Sequence, residues 1–321
     1  MKCDIIIPVW NEKKLTARCI ETILDNTHSP YRIIIIDNGS DSETAQYLNE
    51  LAGQRPELIY LKRNDKNLGF PKAVNQGVEL SDAPYICILN NDTEVHKDWL
   101  TEMIQVAEKD AGIGVINPAS NNLGQKGPAP ELSGKWIEMA ACTGFCMLVK
   151  REVIDRVGMF DEIYTPGNFE DMDFSKRVVR AGYRCILAKG AYVYHRQNTS
   201  FKKRQDWDDR FKRNRDIFNE RWGRPKRIVY IVTGSDPDIF KTGIRESIKQ
   251  GDWVWVILKY GSKNIDLPEH TSLSIFRLVK IGFTIKVIWR VLKRKKRFDK
   301  VVTDSRFLAQ FFKVFGYSAL S

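Results

Sequence analysis

Six short polar clusters stand at the ends of apolar runs in this chain, where carboxylates, amides and a histidine can act on an anionic ligand. Ile7-Pro8-Val9-Trp10-Asn11-Glu12 leads from an apolar run into a helix start, and Ile36-Asp37-Asn38-Gly39-Ser40-Asp41 repeats the arrangement. An acidic residue at a strand end, such as Asp37, accepts hydrogen bonds from a base or ribose, and Gly39 permits a tight backbone approach. Asn64-Asp65-Lys66-Asn67-Leu68-Gly69-Phe70 precedes a helix carrying Lys72 and Asn75. Amides and a lysine at a helix N-terminus suit a diphosphate. Alone, each cluster is equally an ordinary turn with capping residues.

The remaining three carry more specific chemistry. Leu89-Asn90-Asn91-Asp92-Thr93 ends an apolar run with a carboxylate beside two amides. Such a carboxylate can bind Mg2+ or Mn2+, hard ions that prefer oxygen ligands and clamp diphosphates. Gly167-Asn168-Phe169-Glu170-Asp171-Met172-Asp173-Phe174 puts three acids in a first helical turn, where acids also simply complement the helix dipole. One that points into a cleft can take the proton of an attacking hydroxyl. Tyr192-Val193-Tyr194-His195 closes another strand in a protein with four histidines, and makes His195 a candidate further metal ligand.

The elements that must position these residues alternate short β-branched runs with helical-period segments, the pattern of a largely parallel sheet covered by helices. Strands are predicted at Cys3–Val9, Arg32–Asp37, Leu58–Lys62, Tyr85–Asn90, Ile113–Asn117, Cys142–Val149 and Cys185–His195, the last as a possible hairpin turning near Lys189-Gly190. Helices are predicted at Lys13–Asn26, Glu43–Ala52, Lys72–Leu80, Asp98–Lys109 and Asp171–Ala181. Ligands in such sheets bind at the carboxyl ends of the strands, where the polar clusters fall. Residues 117–135 are turn-rich and read as a surface loop that could cover the site. A helix bearing Trp207, Phe211, Phe218 and Trp222 on one face then stops at Gly223 and Pro225.

A chain of 321 residues has room for one large unit and one small one. Its 43% hydrophobic and 11% aromatic content is that of a globular protein. The N-terminus reads as a first strand and lacks the pattern of a secretory signal, and no stretch is apolar enough to span a membrane. Six scattered cysteines without a CxxC pair read as buried thiols of a reducing compartment. These features together predict a cytoplasmic protein, peripheral at most to the inner face of the cell membrane. The net charge of +11 calls for an anionic partner without choosing one. It is concentrated in residues 196–227, with twelve Lys or Arg against five Asp or Glu, and in the five-residue basic run Lys293–Arg297.

Taken together, Pro8-Val9-Trp10-Asn11-Glu12, Asp37-Asn38-Gly39-Ser40, Asn90-Asn91-Asp92, Gly144 after Thr143, Phe169-Glu170-Asp171-Met172-Asp173 and His195 resemble the family 2 glycosyltransferases of GT-A fold. The resemblance covers residues 1 to about 222. It implies a Rossmann-like mixed sheet flanked by helices in a domain 1–224. It further implies that Pro8 to Glu12 and Asp37 hold the nucleotide of a nucleoside-diphosphate sugar, to which the reading of the polar clusters adds Asn38, Gly39, Asn67, Gly69, Lys72, Asn90 and Asn91 as donor-binding candidates. Asp92 and His195 would be ligands of Mn2+ or Mg2+, Asp171 the base, and Glu170 a residue that positions it or meets the acceptor. Asn90 stands where the family's DxD-type motif has its first acid, which weakens the implied metal affinity. The pattern around Gly167–Arg177 and Tyr192–His195 is most similar to the bacterial rhamnosyltransferase branch of cell-surface polysaccharide synthesis. A deoxythymidine-diphosphate rhamnose donor follows, with UDP-galactofuranose, UDP-GlcNAc, UDP-glucose or UDP-galactose as alternatives. The acceptor would be a saccharide or lipid-linked saccharide.

Residues 226–321 lie outside the resemblance and read as a small Rossmann-like α/β domain. It could serve interaction or membrane attachment, and it ends abruptly enough to be a truncated unit. Ile281, Ile285, Ile288, Trp289 and Leu292 near one helical face, flanked by basic residues, fit an anionic membrane surface. They equally fit a core helix. A nucleotidyltransferase would carry a Gly-rich basic loop after the first strand, where Pro8 to Glu12 stand instead. A non-catalytic glycan- or nucleic-acid-binding protein is the remaining alternative. Nucleic acid is not the expected partner, because the aromatics of 207–222 recur at helical rather than interleaved spacing.

Overall fold

The computed structural model describes residues 3–196, 207–234 and 236–320. Residues 197–206, which hold part of the basic segment, lie outside them. The described chain divides into two compact units. One runs to Ile137 and takes in Ala141–Trp222; the other comprises Glu138–Ala140 and the residues from Gly223 onward.

The first unit opens with β1 (Cys3–Val9), α1 (Lys13–Asn26), β2 (Tyr31–Asp37), α2 (Ser42–Gln54), β3 (Ile59–Arg63), α3 (Phe70–Glu79) and β4 (Tyr85–Leu89). Then come β5 (Thr93–Val95), α4 (Trp99–Glu108), β6 (Ile113–Ala119), β7 (Trp136–Met139, of which Trp136 and Ile137 belong to this unit), β8 (Cys146–Lys150), α5 (Arg151–Val157), α6 (Glu170–Arg180), β9 (Arg184–His195) and α7 (Trp207–Trp222). The sheet order is β3-β2-β1-β4-β8-β6-β9-β5, with β7 also on β9. β3, β2, β1 and β4 are parallel, as the repeated strand–helix pattern predicts. Beyond them the sheet is mixed, since β8 runs antiparallel to both β4 and β6. Ile5, Ile6 and Ile7 in β1 and Ile33, Ile35 and Ile36 in β2 are wholly buried. A strand apolar on both faces is what helices on both sides of a sheet require, and each such side chain contributes about 1.5–3 kcal/mol.

The parallel register sets Val9 of β1 beside Asp37 of β2. Because β4 runs the same way, Pro8 to Glu12, Asp37 to Asp41, residues 64–69 and Asn90 to Asp92 collect at one edge. At the opposite end Asp4, fully buried, accepts from Arg32 Nε at 3.1 Å and Nη2 at 2.6 Å, a forked pair that joins β1 to β2.

Several expectations are corrected. Residues 142–145 are not strand: Cys142 and Thr143 donate their N–H groups to Ser175 Oγ and Asn117 Oδ1 instead of to a ladder. β9 is one strand rather than a hairpin, with a register irregularity between Ala188 and Tyr192 where it passes β6. The loop after β6 is tied down rather than loose. Glu102 accepts from Ser133 Oγ and the Gly134 N–H, Lys109 donates to the Gly134 carbonyl, and Lys189 N–H donates to the Lys135 carbonyl.

The second unit contains β10 (Arg227–Val232), α8 (Lys241–Lys249), β11 (Trp253–Lys259), β12 (Leu273–Leu278), α9 (Phe283–Leu292), β13 (Lys300–Thr303), α10 (Arg306–Val314) and β14 (Ser318–Leu320). All strand pairs are parallel, in the order β12-β11-β10-β13-β14. This is a doubly wound sheet with its switch point between β10 and β13. α9 and α10 pack on one face through Phe283, Val287, Val291, Leu308 and Phe312, while Ile244 of α8 packs on the other. At the switch point the N–H groups of Thr233 and Gly234 are taken by the Asp304 carboxylate.

Candidate active site

The loops after β1, β2 and β3 brace one another. Asn11 and Glu12 have φ of 59° and 62°, a left-handed pair of non-glycine residues at the sheet edge. Asn11 holds that conformation by donating its N–H to Ser40 Oγ (2.9 Å) and accepting the Asp41 N–H on Oδ1 (2.8 Å). Non-glycine residues persist there only where the surroundings over-determine them, as they do at binding sites. Asp37 is buried, accepts the Ser40 N–H, and meets the Arg63 guanidinium, which also donates to the Ser40 carbonyl.

Asn38 is spent on the protein. Its amide nitrogen donates to Asn67 Oδ1 and the Gly69 carbonyl, and its oxygen accepts from Asn64 and the Leu68 N–H. Gly39, with φ of 76°, is approached closely by the Lys66 backbone: a Cβ there would lie 2.6 Å from Lys66 Cα. The tight approach read from the sequence is therefore loop against loop. Gly69 likewise abuts Thr165 and Pro166. Val9 is buried, Pro8 and Trp10 are partly so, and Lys72 is exposed on the first turn of α3.

The loop after β4 meets the end of β9. Antiparallel pairing of β5 with β9 sets Thr93 opposite His195, and His195 Nε2 lies 3.1 Å from Asp92 Oδ1, with side-chain exposures of 14% and 12%. The His195 ring stacks on Phe145 at 5.0 Å and 11°. Its Nδ1 meets the Asn122 amide, and Asn121 exchanges two hydrogen bonds of 2.9 Å with the His195 backbone. Asn90 donates its N–H to the Phe145 carbonyl, and Asn91 donates to Thr16 on α1.

The acidic helix joins through the neighbouring Gly144. Asp171 Oδ2 accepts the Gly144 N–H at 3.0 Å and Oδ1 accepts the Met172 N–H at 2.7 Å. Burial nevertheless raises the Asp171 carboxyl above the ordinary range. Burial, then the Asp171 charge, pushes Glu170 well above it. Glu170 Oε2 is buried and has no hydrogen-bond partner among the described residues. An orphaned buried carboxyl oxygen is rare in folded proteins.

Asp173, the third acid, faces away. It takes Arg177, Arg221, Trp222 Nε1 and the Tyr164 hydroxyl, and so ties α7 to α6. Asn214 on α7, fully buried, donates to the carbonyls of Tyr164 (2.6 Å), Gly167 (2.9 Å) and Asn168 (3.3 Å). Those bonds hold Asn168 and Phe169 at φ of 77° and 75° in front of α6. The aromatic face of α7 packs only in part: Phe218 is buried against Phe169, while Phe211 touches the same ring but stays exposed.

Asp92 and His195 fit a hard divalent cation as a two-ligand, oxygen-and-nitrogen set. Among the described residues no cluster of three or more His, Cys, Asp or Glu forms, so diphosphate oxygens and water would complete the shell. Asn122, Phe145, Arg63 and Asn214 were not singled out from the sequence. They act through contacts distant in the chain, and the one local signal was the Ser120-Asn121-Asn122 turn.

A parallel-edged mixed sheet with carboxylates, a histidine and strained loops at its carboxyl edge is the GT-A nucleotide-sugar transferase fold. Residues 4–158, the greater part of the first unit, match glycosyl transferase family 2. The chain is similar to glycosyltransferase AglE of Haloferax volcanii, 25% identical over 60% of this chain and 66% of that protein. It is similar also to the chondroitin synthase of Escherichia coli, 25% identical over 62% of this chain and 30% of that one. An uncharacterized protein, y4gI of Sinorhizobium fredii, is 26% identical over 68% of this chain and 27% of its own length. The chain thus spans between about a quarter and two thirds of these relatives. The fold is shared with a Pyrobaculum calidifontis mannosyltransferase in complex with GDP-Man and Mn2+, at a TM-score of 0.56 and 17% identity over 77% of this chain and 69% of that one.

Proposed function

We propose that this chain is an inverting glycosyltransferase that moves a sugar from a nucleoside-diphosphate sugar to a hydroxyl of a saccharide or lipid-linked saccharide. The carrying observation is the dipeptide Gly144-Phe145: Gly144 donates to Asp171 while Phe145 stacks on His195, which faces Asp92. Donor-diphosphate ligands and an acid of raised pKa are thereby joined by one short segment. A divalent cation, Mn2+ or Mg2+, held by Asp92 and His195 would supply Lewis-acid stabilisation of the departing diphosphate. The mannosyltransferase neighbour carries Mn2+.

Asp171 takes the proton of the acceptor hydroxyl as its oxygen bonds to the anomeric carbon and the bond from that carbon to the diphosphate oxygen breaks. The nucleoside diphosphate leaves, configuration inverts, and no covalent sugar–enzyme species is needed. Glu170, kept protonated by burial, offers its unpaired oxygen to the acceptor. Asp37 and the strained Asn11-Glu12 loop receive the nucleotide. The donor of this reading is deoxythymidine-diphosphate rhamnose, with UDP-sugars as the alternative. A lipid-linked acceptor brings the reaction to a membrane surface, and contact with an anionic leaflet belongs to the reading; no helix among the described residues is long and apolar enough to cross a membrane.

Incubation with each donor and Mn2+, followed by detection of released nucleoside diphosphate and NMR of the anomeric product, tests it. Release from deoxythymidine-diphosphate rhamnose with inverted product supports the full reading. Release from UDP-sugars alone moves the donor, and release from none overturns it.

A further inference from the structure

Helix α9 has two apolar faces, and the fold of its own unit uses one. Phe283, Val287 and Val291 are buried against the second sheet. On the outward side Ile285 is 74% exposed and Trp289 59%, with Leu292 following one turn later. Val279 and Ile281 in the segment before the helix extend the ridge, Ile281 at 88% exposure. Single exposed apolar residues are ordinary, but a contiguous ridge of this kind marks a docking surface.

Charge identifies the occupant. From His270 to Phe298 there is no Asp or Glu and there are nine Lys or Arg. Lys286 is exposed beside the ridge, Arg290 lies over the Phe276 ring at 4.3 Å, and Lys293 sits over the Trp289 ring at 4.7 Å. Two members of the basic run are committed to packing: Arg294 lies over Trp255 and Phe298, and Arg297 over Tyr317. Lys293, Lys295 and Lys296 stay exposed.

We infer that the outward face of α9, with Val279 and Ile281, docks on an anionic lipid bilayer. The inference rests on and deepens the membrane contact of the proposed function. Ten residues of α9 are too few to span a membrane, so the helix lies in the interface. Ile281 and Ile285 enter the acyl boundary, Trp289 sits at headgroup level, and the lysines meet anionic headgroups. A nucleic-acid backbone would satisfy the cations but leave the isoleucines in water.

The test is flotation of the full chain with phosphatidylcholine vesicles and with mixed phosphatidylcholine–phosphatidylglycerol vesicles. The wild type is expected to float with the anionic vesicles, less with the neutral ones, and less again in high salt. Ile285→Glu with Trp289→Glu, and separately Lys293→Glu with Lys295→Glu and Lys296→Glu, should each lower partitioning by about tenfold or more at an unchanged melting temperature. No flotation of the wild type, equal flotation of the ridge variant, or a ridge-dependent dimer in solution would overturn the inference. Nucleotide binding measured on the same samples separates this outcome from failure of the glycosyltransferase reading, because no ridge residue lies in that site.

Discussion

His195 Nε2 and Asp92 Oδ1 lie 3.1 Å apart although the two residues stand on different strands' ends. The antiparallel pairing of β5 and β9 makes the meeting, and Phe145 on one side with Asn122 on the ring nitrogen fixes the imidazole. Partners of this kind govern a ligand's tautomer and basicity.

Asp171→Asn is expected to lower kcat by about 10²–10⁴ while leaving nucleotide affinity intact, the signature of a lost base. Because burial raises its carboxyl, the acid limb of kcat/KM should lie above the range of an ordinary aspartate. A variant with near-normal kcat would move the role to another group.

Glu170 should make stability depend on pH. Its native carboxyl is raised, so the native state keeps a proton that the unfolded chain releases near pH ~4.3. The native state then binds more protons, and stability falls as pH rises from the unfolded value toward the native one. Asp171 is shifted in the same direction, and the two titrate as a pair. In thermal melts from roughly pH 5 to 8, Glu170→Gln should lose less stability than the wild type. Parallel curves would contradict a buried, protonated Glu170.

Asn214→Ala removes the donor shared by three carbonyls of the loop before α6. The expected result is a cost of about 1–3 kcal/mol in denaturant unfolding, with a fall in kcat and little change in nucleotide affinity. Lost stability with full kcat would make Asn214 a brace without influence on Asp171.

Arg32→Met strands the fully buried Asp4 carboxylate and should cost about 3–5 kcal/mol. Asp4→Ala combined with Arg32→Met should recover much of that loss. Denaturant unfolding of the single and double variants checks both, and nucleotide affinity should hold because the pair lies at the far end of β1.

The strands and helices of the parallel half were legible because both periodicities are undisturbed there: Cys3–Val9 and Lys13–Asn26 appear with the predicted bounds. Legibility failed where side chains replace ladder bonds, as at Cys142 and Thr143, and at α5, seven residues that follow β8 with no turn between them. Helix α9 stops short of the basic run, spanning only Phe283 to Leu292. Gly282 is left-handed at its start, and the five adjacent cations disfavour continuation. Within the site the strand-end motifs were visible as local clusters. The residues that orient them, Asn122, Phe145 and Asn214, were not, because their contacts are made by the tertiary fold.

The most direct measurement is calorimetric titration of nucleoside diphosphates into the wild-type chain, Asp92→Ala and His195→Ala, each with and without Mn2+. The account predicts Mn2+-dependent binding of one nucleotide class to the wild type, with the metal dependence abolished in Asp92→Ala and weakened in His195→Ala. Binding that ignores Mn2+, or that both variants retain with its metal dependence unchanged, would contradict a cation held between these two residues.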